Sequence, residues 1–148
     1  VKVSPNAASI IPGKVELVME LRCCDEAIRQ RIKAAVTEIT AEIEKERGVR
    51  IERKLNLDQK EMWMDRTIVE AVKRGIDQEG KKPLELVSMA GHDAANMQRV
   101  TKSAMIFVQS IDGKSHCPQE KTDINRIEET VNAMLDAVLI LDKEMDAI

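Results

Sequence analysis

An α/β fold is predicted for this 148-residue chain by three observations. Apolar residues recur at helical spacing in three long stretches, and short apolar runs of strand length lie between them. The style of those runs also changes near residues 58 to 64. Before it they alternate with polar residues, as in a sheet with one exposed face; after it they are continuous, as in a parallel sheet covered on both sides. The expected architecture is a strand-helix-strand unit over residues 1–58, of α+β type, followed over residues 59–148 by the helices and strands of an α/β part with a parallel-type sheet.

Each element follows from its residues. Val15, Leu17, Met19 and Leu21 alternate with Glu16, Val18, Glu20 and Arg22, which predicts a strand whose Arg22 faces away from the local core. Ile28, Ile32, Val36, Ile39 and Ile43 then repeat every three to four residues, with Asp25 placed to cap the start and Gly48 to end the helix in a left-handed turn. Val49, Ile51, Leu55 and Leu57 alternate again, a second strand. Asp65 opens a further helix through Ile68, Val72 and Ile76, with Gly80 and Pro83 beyond its end. Leu84 to Met89 reads as a strand, Ala94 to Arg99 as a short helix, and Ala104 to Val108 as another strand before a long loop. The last helix starts near Asp123 and carries Ile124, Ile127, Val131, Met134, Val138 and Leu141.

Composition excludes several functions. Only Trp63 and Phe107 are aromatic, so no base-stacking platform can be built, and a net charge of −3 with 33% charged residues of mixed sign offers no basic stripe for phosphates. Nucleic acid is not an expected partner. No apolar run approaches the roughly 20 residues needed to span a bilayer and no secretory signal opens the chain, so neither a membrane nor export is expected and a cytoplasmic location is. Cys23, Cys24 and Cys117 are an odd number and read as free thiols.

Both histidines lie in turn-forming loops next to apolar runs, where strand ends present functional groups. His92 stands in the turn Gly91-His92-Asp93-Ala94. His116 stands in Gly113-Lys114-Ser115-His116-Cys117-Pro118-Gln119-Glu120, where Gly113 and Pro118 restrict the loop. A neutral imidazole there suits zinc and similar ions, and Asp93 can either orient a neighbouring ligand or cap the short helix it begins. A thiol site built from Cys117 and a histidine is a competing chemistry that requires a reactive thiolate.

Three segments in order, Gly91 to Ala94, Met105 to Ser110 and Gly113 to Glu120, together with Pro5-Asn6-Ala7-Ala8-Ser9-Ile10-Ile11-Pro12-Gly13 and Glu20-Leu21-Arg22, carry a family resemblance. The chain resembles the metal-dependent amidohydrolases and peptidases of aminoacylase and carboxypeptidase type, in the branch of allantoate amidohydrolase and N-carbamoyl-L-amino-acid hydrolase. The resemblance runs from about Ser4 to about Leu141. It implies that residues 1–58 end a ferredoxin-like lid and dimerisation domain, that residues 59–148 end the catalytic domain, and that the chain is a C-terminal piece.

The implied reaction is hydrolysis of a linear amide or ureide C–N bond, with a metal-activated water attacking the carbonyl and a glutamate shuttling the proton. His116 matches a metal ligand, for zinc or else manganese. Arg22 matches the arginine that pairs with the substrate carboxylate, a task its planar guanidinium suits. Ser9 falls where the family has an asparagine, and a hydroxyl offers one donor where an amide offers two. His92 and Asp93 are expected to line the site. The family's other ligands and its catalytic glutamate match nothing in this chain, so the isolated chain is expected to be inactive, to form a homodimer, and to act in its parent on a small amide or ureide bearing a carboxylate. The alternative is a non-catalytic dimerisation or binding module.

Overall fold

A computed structural model describes residues 1–145. Strands β1 (Lys2–Ser4) and β2 (Lys14–Glu16) form an antiparallel pair in which Val3 faces Val15. Helix α1 covers Glu26–Arg47, α2 Arg66–Gln78, α3 Asp93–Met97 and α4 Ile124–Met145. The chain divides into two compact units, Val1–Glu61 and Met62–Ile148. It is a mixed helix and sheet protein, compatible with α/β or α+β.

The helices begin and end where local hydrogen bonding dictates. Asp25 accepts the Ile28 N–H at 3.0 Å at the start of α1, and Gly48, at φ 62°, closes it by donating to the Glu44 carbonyl at 3.0 Å. Asp65 accepts the N–H groups of Thr67 and Ile68 at 3.0 and 3.2 Å, capping α2. Each cap satisfies donors or acceptors that a helix end leaves orphaned.

The strands differ from expectation. The described residues hold a single sheet, two-stranded and antiparallel, and no parallel-type sheet. The expected first strand is shortened to Lys14–Glu16, and it pairs with a further strand at Lys2–Ser4. Segments 49–57, 84–89 and 104–108 carry no ladder at all. Alternation marks a face that suits a sheet, but a strand exists only through the hydrogen bonds of a neighbour. Among the described residues these runs lack one, and Leu55, Leu57, Leu84 and Leu86 stay exposed.

In the first unit the chain after α1 returns along the helix's polar side. Glu44 accepts the Ile51 N–H at 2.7 Å, Arg53 donates to the Thr40 hydroxyl at 2.9 Å, and Asp58 meets Arg29 and Lys33. The isoleucine face is left uncovered, with Ile28, Ile32, Ile39 and Ile43 all exposed.

In the second unit α2 packs against α4 through small residues. Ala71, Ala133 and Ala137 are buried with Ile140, and Val72 and Leu141 complete the cluster. Gly75 lets the helices approach closely: a Cβ placed there would stand 2.3 Å from the Ala133 carbonyl oxygen. The expected α4 face of Ile124, Ile127, Val131, Met134 and Val138 is exposed instead. Both stripes of α4 are apolar, and contact with α2 selects the one that permits the closer approach.

Candidate functional site

His116 stands in a loop closed at its base. Ser110 and Thr122 form an antiparallel bridge and Ile111 N–H donates to the Lys121 carbonyl at 2.8 Å, so residues 111–121 leave and return at one point. Three residues in the loop have left-handed backbone, Asp112 at φ 57°, Gly113 at φ 64° and His116 at φ 57°. For a histidine this conformation is uncommon and calls for support. Glu120 provides it: its carboxylate accepts the His116 backbone N–H at 2.7 Å, while its own N–H donates to the Cys117 carbonyl at 3.0 Å. Ser115 Oγ lies 3.0 Å from His116 Nδ1. The imidazole is therefore displayed on an exposed turn with Nδ1 engaged and Nε2 as its remaining nitrogen.

His92 is placed by different neighbours. It is the residue that opens α3, its Nε2 lies 2.6 Å from Ser88 Oγ, and its ring packs edge-on to Phe107 at 5.7 Å between centroids. Asp93 is the first residue of α3 and exposed, and His92 before it holds the N-cap position without a side-chain capping bond. The capping role open to Asp93 in sequence is not one the structure gives it.

Arg22 pairs with Glu20, at 2.7 Å from Nε and 2.6 Å from Nη2. Ser9 is exposed in the loop that joins β1 to β2, where Ile10 N–H closes a turn on the Ala7 carbonyl at 3.3 Å. Among the described residues no hydrogen bond joins the free Cys117 to either histidine.

Among the described residues no group of three or more His, Cys, Asp or Glu side chains converges to hold a metal. His116 offers one borderline donor, and a stable metal centre needs several. The donors among the described residues do not by themselves fit a complete centre. A shallow concavity of about 230 Å³ at the base of the His116 loop, lined by Asp112, Asp123 and Arg126 among others, carries no local sequence signal. Its charges are engaged nearby: Lys114 meets Asp112 at 3.3 Å, and Arg126 donates to Glu129 at 2.9 Å.

Comparison with known proteins adds a second line of evidence. The model of peptidase family M20/M25/M40 matches residues 8–140. An N-carbamoyl-L-amino acid amidohydrolase of Geobacillus stearothermophilus is 32% identical over 118 residues, 80% of this chain and 29% of that protein. An N-carbamoyl-L-amino-acid amidohydrolase of Rhizobium meliloti is 33% identical over 127 residues, 83% of this chain and 29% of that protein. The allantoate amidohydrolase of Escherichia coli (strain K12) is 28% identical over 130 residues, 88% of this chain and 32% of that protein. The chain spans roughly a third of the length of the curated relatives it matches. No solved structure matches it.

Proposed function

Because this chain belongs to peptidase family M20/M25/M40, we propose that it is the C-terminal portion of a metal-dependent amidohydrolase that cleaves linear amide or ureide C–N bonds. Its substrate would be a small molecule with a carboxylate, of the allantoate or N-carbamoyl-amino-acid type named in its relatives. One observation carries the reading: His116 lies in a left-handed turn that Glu120 braces at 2.7 Å, inside the Gly113 to Glu120 motif that prompted the family resemblance. An unfavourable backbone conformation held by a dedicated carboxylate marks a side chain whose direction matters.

In this reading His116 contributes one ligand to a zinc or manganese centre, through a neutral imidazole. Bound metal would supply Lewis acidity and an acidified water. Arg22 pairs with the substrate carboxylate, exchanging Glu20 for it, and Ser9 lies beside that carboxylate as a shorter, single-donor replacement for an amide. His92 and Asp93 are site-lining residues, as their Gly91 to Ala94 turn in the family motif implies. Residues 1–58 form the end of a lid and dimerisation domain and residues 59–148 the end of the catalytic domain. The remaining ligands and the proton-shuttling glutamate come from outside these 148 residues, so the chain alone hydrolyses nothing.

The reading is tested first on the gene. An in-frame segment upstream of the Val1 codon bearing His, Asp and Glu ligands and an acidic base is the expected result. A start codon immediately upstream would sink it. In the longer protein, His116→Ala should abolish metal-dependent release of ammonia from allantoate or an N-carbamoyl amino acid.

The exposed isoleucine face of α1 favours a second reading, a non-catalytic dimerisation module. A stable symmetric dimer of the chain that takes up no zinc, from a gene with no such upstream segment, would establish it.

A further inference from the structure

His92 is held from two directions. Its Nε2 lies 2.6 Å from Ser88 Oγ, and its ring meets Phe107 with the planes inclined at 66°. The Ser88 hydroxyl is itself anchored, since the Ala90 N–H donates to it at 3.2 Å. Serine and histidine are both partly buried.

A serine hydroxyl has one hydrogen to donate and two lone pairs. The Ala90 N–H takes one lone pair, and accepting that bond polarises the hydroxyl towards donating its hydrogen to His92 Nε2. A ring nitrogen that accepts carries no proton, so the neutral imidazole holds its proton on Nδ1. No hydrogen-bond partner of Nδ1 is found among the described residues, so that N–H is the group His92 has left to offer.

We propose that Ser88 is a positioning residue that locks His92 in the Nδ1–H tautomer, so that His92 meets its ligand as a hydrogen-bond donor to a carbonyl or carboxylate oxygen. With Nε2 engaged and Nδ1 protonated, the neutral ring has no lone pair for a metal or for proton abstraction. The inference deepens the placing of His92 beside the substrate and rests on it for the ligand's identity; the tautomer itself does not. A serine beside a histidine is also the arrangement of a nucleophile and its base. That chemistry needs a group orienting the other ring nitrogen, and no carboxylate reaches Nδ1 among the described residues.

The test uses the full chain labelled with ¹⁵N-histidine, studied by long-range ¹H–¹⁵N correlation at mildly alkaline pH. With two histidines in the sequence, the His116→Gln variant assigns the signals. The expected wild-type result is a protonated Nδ1 and an unprotonated Nε2 for His92. Ser88→Ala should draw the two nitrogen shifts together as the tautomers mix, and Ser88→Thr, which keeps the hydroxyl, should restore them. A wild-type His92 protonated on Nε2, or a Ser88→Ala spectrum unchanged from wild type, overturns the proposal. The spectrum reads the ring directly, so failure of the hydrolase reading in an activity assay leaves this result standing, and the reverse is equally true.

Discussion

Arg29 is the buried charged side chain among the described residues, 8% exposed, and its partners explain how it can be. It donates to Glu26 at 2.6 and 2.8 Å and to Asp58, whose second oxygen takes Lys33 at 2.6 Å. Hydrogen bonds from Arg29 and then Gln30 bring the Glu26 carboxyl down to about 2, and those from Lys33 and then Arg29 bring Asp58 to about 2. Both carboxyls bind protons more weakly folded than unfolded, so their stabilisation is complete above the ordinary values of 4.5 and 3.8 and is lost as pH falls towards about 2. Chemical unfolding followed by circular dichroism should show the first unit weakening across that window. Asp58→Asn should lower its stability near neutrality and flatten the acid loss, whereas an acid dependence equal to wild type would show the cluster to be inert. At the His116 turn, Glu120→Ala should speed amide hydrogen exchange at His116 and Glu120→Gln, which keeps an acceptor, should largely restore the protection. Neither cluster was legible in the sequence. Arg29 sits among charged neighbours on a helix, and only the return of Asp58, 29 residues later, distinguishes it.

At the scale of elements, the helices were readable because their signals are local. Asp25, Gly48 and Asp65 occupy the capping positions expected of them, and α3 lies at Asp93–Met97 against an expected Ala94 to Arg99. Asp65→Ala should cost about 1 kcal/mol by thermal or denaturant unfolding, since it orphans two N–H donors at the start of α2. Gly75 reverses a rule. Glycine to alanine inside a solvated helix stabilises by roughly 0.4–1 kcal/mol. Here the added methyl would meet backbone atoms of α4 at 2.3 and 3.0 Å, so Gly75→Ala should destabilise by about 1–3 kcal/mol, read from the denaturation midpoint. The strands were not readable to the same degree, because an alternating run names a face and never its partner.

Across the whole molecule, apolar surface is left over. Ile28, Ile32, Ile39 and Ile43 on α1, and Ile124, Val131, Met134 and Val138 on α4, are exposed stripes of the kind that drive association. Ile39→Lys should weaken self-association of the chain in sedimentation velocity; an unchanged distribution would acquit the α1 face. No helix among the described residues is long and apolar enough to cross a membrane, so these stripes are not spans. Sequence by itself determined the helices with their ends, the loops that carry His92 and His116, and the ordered motifs that prompted the family resemblance. All of these rest on hydrogen bonds, periodicity and residue identity within a few positions. Only the tertiary structure decided that α4 buries its alanines and not its larger side chains, that β2 pairs with a strand at Lys2–Ser4, that three apolar runs stay without a ladder, and that Ser88 and Phe107 hold His92. Burial is non-directional, rewarding any apolar surface that leaves water, and the choice among surfaces falls to shape and to partners far away in the chain.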